Sequence, residues 1–118
     1  MNDPKKHSKL NQLFIERLTS IIMDEMSLGK ISLEMVASKM FITRGQLNRK
    51  VKAITGRTTQ QFAMDIRLKN ACNLLKNSPD IMISEVAYKC GFEEATSFSR
   101  AFHREYNTSP TKYRNENI

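Results

Sequence analysis

The chain has 118 residues, 40% of them hydrophobic, so its length suits one compact domain or two very small ones with a core. It contains 19 Lys and Arg against 12 Asp and Glu, a formal net charge of +7. With 4 Gly and 3 Pro, it is neither collagen-like nor a Gly-rich tract. No apolar run approaches the roughly 18 residues of a transmembrane helix, and the first residues lack the apolar segment of a secretory signal. We therefore expect a cytoplasmic protein without membrane attachment.

The cysteines and histidines do not indicate a metal site. Cys72 and Cys90 form no Cys-x-x-Cys motif, and His7 and His103 are not at ligand spacing. We expect two reduced, buried thiols and neither a metal nor another cofactor. No nucleophile–base pair, carboxylate dyad or phosphate-binding loop is visible, which argues against an enzyme.

The positive charge is concentrated in the first half of the chain. Residues 1–57 carry 11 basic and 5 acidic side chains, whereas residues 58–118 carry 8 and 7. A basic balance of this kind favours an acidic partner, either nucleic acid or an anionic membrane surface.

The apolar spacing predicts helices almost throughout, because the alternation typical of strands is absent. Residues that cap helices or favour left-handed turns mark the helix ends. In chain order, the predicted helices run from a cap at Ser8 to about Met26, from Ser32 over a short segment, from Thr43 to about Thr55, from Thr58 or Thr59 to about Lys76, over about 83–89, from Glu94 to Tyr106, and onward from Ser109-Pro110.

The fourth of these helices has apolar residues on two sides. A helix of this kind is buried between two bodies, so we expect it to link two lobes. Its two faces hold Phe62, Ala63 and Ile66 on one side and Leu68, Ala71, Cys72 and Leu75 on the other.

An internal repeat relates the segments on either side of this linker. The short helices match at an offset of 50 residues, and the longer helices that follow them match at an offset of 51. Gly56 matches Asn107, the next best residue for a left-handed cap. Two copies of a short helix, a turn and a longer helix predict two helix-turn-helix units. The matched residues are Leu33, Val36, Ala37, Lys39, Leu47, Arg49, Val51, Thr59 and Phe62 with Ile83, Val86, Ala87, Lys89, Phe98, Arg100, Phe102, Pro110 and Tyr113.

The outer face of the longer helix in each copy carries side chains that can bond base edges, and no acid. Arg can bond guanine, Asn can bond adenine, and Ser or Thr can bond either partner. Glu93 and Glu94 precede the second of these helices and repel phosphate, so we expect the first unit to bind DNA more strongly. The outer faces hold Gly45, Asn48, Arg49 and Lys52 in the first copy and Thr96, Ser99, Arg100 and His103 in the second.

Several short motifs indicate a known family. They are Ile83-Ser84-Glu85-Val86-Ala87, Gly91-Phe92-Glu93, Phe98-Ser99-Arg100-Ala101-Phe102 and Ser109-Pro110-Thr111-Lys112-Tyr113-Arg114, together with Arg67-Leu68, Ala71, Leu74 and Leu75 in the linker helix. With them, the stretch from about Ile31 to Arg114 resembles the DNA-binding domain of the AraC/XylS family of bacterial transcription regulators. The resemblance implies an all-α fold of about seven helices, with a lead-in helix in 1–30, a first helix-turn-helix in 31–57, a linker helix in 58–76, and a second helix-turn-helix and C-terminal helix in 77–118.

The resemblance also implies which residues contact DNA from the recognition helices at about 43–55 and 94–106. Gly45 has no side chain where family members often read bases, and His103 replaces a usual Lys, which weakens the phosphate attraction of the second unit near neutral pH. We expect bases to be read by Arg44, Asn48, Arg49, Ala95, Thr96, Ser97 and Arg100. We expect the DNA backbone or groove to be contacted by Thr43, Gly45, Lys50, Lys52, Ser99, His103, Arg104 and Lys112.

The implied function is sequence-specific binding of double-stranded promoter DNA, with the recognition helices in successive major-groove segments and activation through RNA polymerase. The first 30 residues resemble the lead-in helix found where such a domain ends a response regulator or hybrid two-component sensor. We therefore expect an excised output domain that is monomeric alone and able to dimerise in a longer protein. The alternative is a small stand-alone regulator. A competing interpretation is a helical protein-interaction module, because 7 Met residues could supply an adaptable apolar surface.

Overall fold

The computed structural model of the chain describes residues 4–117 and folds that range into seven α-helices without a strand. The all-α prediction is therefore confirmed. Within the same range, none of the helices combines the length and hydropathy that a bilayer span requires. The helices are α1 (Pro4–Ser27), α2 (Leu33–Lys39), α3 (Arg44–Thr55), α4 (Thr59–Asn77), α5 (Ile83–Lys89), α6 (Ala95–Tyr106) and α7 (Pro110–Glu116).

The first helix begins earlier than predicted. α1 starts at Pro4, so Ser8 lies within its second turn and does not cap it. Proline is favoured at the first helical position because the N–H that it lacks has no intrahelical partner there. The other predicted side-chain caps are confirmed, since each accepts the backbone N–H three residues further on: Ser32, Thr43, Thr58 and Ser109.

The predicted repeat is present in the fold. α2 and α5 are 50 residues apart, and α3 and α6 are 51 apart. The predicted left-handed caps, Gly56 and Asn107, have φ angles of 75° and 57°. In both copies the chain returns to a buried alanine after the turn: Ile42 N–H donates to the Ala37 carbonyl at 3.1 Å, and Phe92 N–H donates to the Ala87 carbonyl at 2.9 Å.

The repeat also includes α1 and α4, which the sequence analysis did not recognise. At the offset of 50, Arg17-Leu18 in α1 matches Arg67-Leu68 in α4 without a gap. Leu18 and Leu68 are both buried, and both arginines donate to carbonyl oxygens at the end of the short helix that follows. Each repeat therefore comprises three helices. We call α1–α3 the first unit and α4–α6 the second unit.

Two hydrophobic cores lie in these units, and α4 contributes to both, as its two apolar faces predict. Ile31 packs against both cores, while α1 adds Leu18 and Ile22 to the first core and Met26 to the second. The lead-in helix is therefore built into both lobes. The buried residues of the first core are Leu18, Ile22, Val36, Ala37, Met40, Leu47, Val51 and Ala63. Those of the second are Met26, Leu68, Ala71, Leu75, Val86, Ala87, Cys90, Phe92, Phe98, Ala101 and Phe102.

The prediction of two buried thiols is correct for Cys90 and wrong for Cys72, which is half-buried. Cys72 lies on α4 at the edge of the second core, where the helix surface is only partly covered. Burial raises the pKa of the Cys90 thiol to about 11, so this thiol stays protonated at neutral pH.

Arg67 connects the linker helix to the turn of the second unit. Its Nε donates to the Cys90 carbonyl at 2.9 Å, and its Nη2 donates to the Gly91 carbonyl at 2.8 Å. The guanidinium carbon also lies 3.8 Å from the ring centroid of Phe92, a cation–π contact. Burial lowers the pKa of Arg67, but a guanidinium remains protonated in proteins. One side chain therefore satisfies the two carbonyl groups that follow directly after the end of α5.

Arg67→Ala is expected to lower the free energy of unfolding by about 2–3 kcal/mol, because two partly buried carbonyls lose a charged donor. Arg67→Lys should recover only part of this loss, since one ammonium cannot reproduce the planar two-pronged contact. Urea denaturation followed by circular dichroism measures both effects. Lys69→Ala, an exposed change on the same helix, is the control and should stay within about 0.5 kcal/mol of the parent. Equal stability of Arg67→Ala and Lys69→Ala would contradict this role of Arg67.

The equivalent turns of the two units carry different residues at a left-handed backbone position. Phe41 has φ 61° and an 85% exposed side chain, whereas Gly91 at the matching position has φ 82°. A Cβ on Gly91 would stand 3.4 Å from Met26 Cγ and 3.6 Å from Arg67 Nε.

Removing the side chain at position 41 and adding one at position 91 should therefore shift the stability of the fold in opposite directions. Phe41→Gly should stabilise the chain by about 0.5–1 kcal/mol, because it relieves a left-handed conformation that side chains disfavour. Gly91→Ala should destabilise it by about 1–2 kcal/mol. Thermal melts of the two variants beside the parent test the pair, and melting points that move in the same direction would refute it.

Candidate nucleic-acid interface

We call the exposed face of each helix that the sequence predicts to contact DNA its reading face. The reading face of α3 lies opposite the residues that α3 contributes to the core. Leu47 and Val51 are buried, while Asn48, Arg49 and Lys52 are exposed. Together with the first turn of α4, this face forms an open groove. The groove is lined by Arg44, Asn48, Arg49, Lys52, Ala53, Thr58, Thr59 and Gln60.

Two arginines define the N-terminal part of this groove. Arg44 Nη1 lies 2.8 Å from Glu34 Oε1 on α2, and its side chain is 33% exposed. Arg49 Nη1 lies 3.4 Å from the position that a Cβ on Gly45 would take. Arg49 therefore lies back along α3 across the glycine.

Three residues that were predicted to contact the DNA backbone or groove instead contact other parts of the chain in this structure. The Thr43 hydroxyl accepts the N–H of Gln46 as the cap of α3. Lys50 Nζ lies 4.5 Å from the ring centroid of Phe14 on α1, and Lys52 Nζ donates to the Gly56 carbonyl at 2.9 Å. Among these, Lys52 also lines the groove, whereas Lys50 is directed towards α1.

The reading face of α6 repeats the arrangement of α3 at the offset of 51. Phe98 and Phe102 are buried, at the positions of Leu47 and Val51 in the first unit. The exposed residues on α6 are Thr96, Ser97, Arg100, His103, Arg104 and Glu105, whereas Ala95 and Ser99 are half-buried. Lys112 is exposed on α7, next to the cap that Ser109 provides.

Glu93 and Glu94, the two acids before the first residue of α6, make different contacts. Glu93 Oε1 lies 3.4 Å from Lys30 Nζ in the connection between α1 and α2, and both side chains are exposed. Glu94 occupies the cap position of α6 without a side-chain cap bond. Part of the negative charge at the start of α6 is therefore offset by a residue of the first unit.

The structure adds groove residues that sequence reasoning missed. Thr58 and Gln60 at the start of α4 line the same groove as Arg49. The internal repeat could have drawn attention to Thr58, because Thr58 matches Ser109 at the offset of 51. Both residues cap a helix that follows a recognition helix. Within the described part of the chain, no group of three His, Cys, Asp or Glu side chains could hold a metal ion.

A family model described as a helix-turn-helix domain matches residues 36–116. The chain belongs to the AraC-type helix-turn-helix family. Domains of this family bind DNA in transcription regulators and are not enzymes, so the predicted class of function is confirmed.

Two named relatives are longer proteins in which only a part matches this chain. The chain is 36% identical over 107 residues to the transcriptional activator RhaS of Salmonella schwarzengrund, covering 91% of the chain and 36% of RhaS. It is 30% identical over 108 residues to histidine kinase P4 of Formosa agariphila, covering 92% of the chain and 8% of the kinase. The chain thus spans about a third of one relative and under a tenth of the other.

Solved structures share the architecture of this AraC-type domain. The C-terminal domain of AraT, a response regulator from Geobacillus stearothermophilus, matches with a TM-score of 0.79 and 27% identity over 88% of the chain and 85% of that domain. The DNA-binding domain of AdpA, solved in complex with a target DNA, matches with a TM-score of 0.72 and 26% identity over 84% of the chain and 90% of that domain.

Proposed function

We propose that this AraC-type domain reads two successive major-groove segments of promoter DNA through α3 and α6. The observation that carries the proposal is the equivalence of the two helices. Each buries a pair of core residues at matching positions and exposes an arginine on the opposite face, Arg49 in α3 and Arg100 in α6. Arginine bonds guanine with two hydrogen bonds, which is a common specific contact in the major groove.

The length of α4 supports simultaneous reading by both units. Its 19 residues span about 28 Å at about 1.5 Å per residue. Successive major-groove segments on one face of DNA are about 34 Å apart, and a modest bend of the duplex would make up the difference. A monomer of this domain would then cover two segments, with base contacts from Arg44, Asn48, Arg49, Ala95, Thr96, Ser97 and Arg100, and groove or backbone contacts from Thr43, Gly45, Lys50, Lys52, Ser99, His103, Arg104 and Lys112.

The named relatives suggest the wider role. RhaS is a transcriptional activator, AraT is a response regulator, and histidine kinase P4 is a kinase. We infer that this chain is the output domain of a two-component regulator and activates transcription through RNA polymerase. In vitro transcription from a selected promoter site, with and without the chain, tests activation directly.

The primary test is selection of binding sites from random duplex DNA at about 0.15 M salt, read by sequencing. We expect an asymmetric motif with two preferred blocks about one helical turn apart. A palindrome would indicate a dimer, and a single block would show that one unit reads bases while the other does not. A protein-interaction module would give no enriched motif and no steep salt dependence.

Arg49→Ala and Arg100→Ala should each cost about 1–3 kcal/mol of binding free energy and relax the preference at different base pairs about one turn apart. Site selection with each variant measures the preference. Arg57→Ala is the matched control, because it removes an arginine of the first unit that pairs with Asp65 at 2.8 Å and does not line the groove. Unchanged base preference in both reading-face variants would rule out these recognition helices.

Lys52→Ala should weaken binding to all sequences alike, because Lys52 lies on the groove without an expected base partner. The slope of log affinity against log salt should become shallower by about 1. Titrations of a selected site and of an unrelated duplex at several salt concentrations provide this comparison. A change confined to one base pair, at an unaltered slope, would instead make Lys52 a base-reading residue.

A further inference from the structure

The two recognition helices differ at their N-terminal turns. In α3 this turn carries Arg44 and Gly45, whereas the matching positions of α6 are Ala95 and Thr96. The first unit therefore has an arginine in the first turn of its recognition helix in addition to Arg49, whereas the second unit has none in that turn. Two neighbouring cations repel each other, so their directions depend on what surrounds them.

Arg44 is held by a carboxylate outside the recognition helix. Glu34, in the first turn of α2, accepts a hydrogen bond from Arg44 Nη1 at 2.8 Å. Glu34 itself is 75% exposed, and an exposed ion pair of this kind adds little to stability. Its main consequence is geometric, because it draws the guanidinium of Arg44 towards α2. In the second unit the position of Glu34 is taken by Ser84, which has no charge.

Arg49 is placed by the absence of a side chain at Gly45. Residues 45 and 49 are one turn apart on the same face of α3, so a long side chain at 45 would occupy the space above the helix where Arg49 Nη1 lies. The backbone at Gly45 is helical and gives no conformational reason for glycine, which is a poor helix former. In α6, the equivalent position is held by Thr96, which has a branched side chain where α3 has none.

We propose that Glu34 and Gly45 are specificity-determining positioning residues for the first unit. Glu34 fixes the direction of Arg44, and Gly45 leaves the space in which Arg49 lies, so the two arginines address different base pairs. This inference rests on the proposed reading of bases by α3. Neither residue needs to touch DNA itself.

Glu34→Ala and Glu34→Gln separate positioning from charge. Both remove the same negative charge near the DNA, so both should raise affinity for unrelated duplex by the same factor. Only Glu34→Ala removes the oxygen that accepts from Arg44. We therefore expect Glu34→Ala to change the preference at the base pair read by Arg44 by about tenfold, and Glu34→Gln to retain most of it.

Two further variants complete this experiment. Glu85→Ala is the matched control, because Glu85 is an exposed acid in the first turn of α5 without an arginine partner in the described structure. It should leave base preference unchanged. In an Arg44→Ala background, Glu34→Ala should have no further effect on preference. If Glu34→Ala and Glu34→Gln alter affinity alike and leave preference unaltered, Glu34 acts only through its charge and its part of the proposal is wrong.

A graded series at residue 45 tests the other part. Gly45→Ala should raise the melting temperature and keep the base preference, since a Cβ at 3.4 Å makes an ordinary contact with Arg49. Gly45→Leu should also fold, but its longer side chain should displace Arg49. The preference at the base pair read by Arg49 should then fall about tenfold, as in Arg49→Ala. Retained preference in a folded Gly45→Leu variant would overturn the role of Gly45.

The failure of this inference can be distinguished from failure of the proposed function. If Arg49→Ala relaxes the preference while the residue 34 and residue 45 variants leave it unchanged, α3 reads bases and the positioning proposal is wrong. If Arg49→Ala and Arg44→Ala both leave the preference unchanged, α3 does not read bases and both conclusions are refuted.

Discussion

The position of α6 depends on the contact that Arg67 makes from the linker helix. α5 has seven residues, so its C-terminal carbonyls have few helical partners, and the chain must turn through Gly91 before α6 begins. The guanidinium of Arg67 bonds the Cys90 and Gly91 carbonyls, which follow directly after α5, and lies against Phe92, which packs at a ring distance of 5.3 Å from Phe98 of α6. Because α4 also starts directly after α3, one rigid helix determines where both reading faces lie.

In the first unit, the equivalent arginine makes longer contacts with the turn after the short helix. Arg17, the equivalent of Arg67, donates to the Lys39 carbonyl at 3.5 Å and lies 5.7 Å from the ring centroid of Phe41. The buried Glu25 compensates, since its Oε1 lies 2.6 Å from Lys39 Nζ and ties α1 to α2. The matching residue in α4 is the apolar Leu75, which packs in the second core. Thus the two units share a three-helix plan, but one relies on a salt bridge where the other relies on apolar packing and a two-pronged arginine.

Local chemistry explains what could be predicted from the sequence. Caps at Ser32, Thr43 and Ser109 bond only to backbone three residues away, so pattern alone located most helix ends. The predicted start of α1 was wrong because both Pro4 and Ser8 are residue types that are favoured at the beginning of a helix. The equivalence of Arg17 and Arg67 was present in the sequence at an offset of 50, but its meaning depends on carbonyls more than 20 residues away. The directions of Arg44 and Lys50 likewise follow from partners on other helices, Glu34 and Phe14, which no spacing rule identifies.

The pairing of charges also changes what the charge distribution means for DNA binding. Counted along the chain, residues 1–57 hold nearly all of the net positive charge, which predicts much stronger binding by the first unit. In the fold, however, Lys30 of the first half lies 3.4 Å from Glu93 and offsets its negative charge at the start of α6. The field at each reading face is therefore more even than the sequence count implies. Arg49 and Arg100 form no ion pair with another described residue, so neither guanidinium would have to break one to make its proposed contact with DNA.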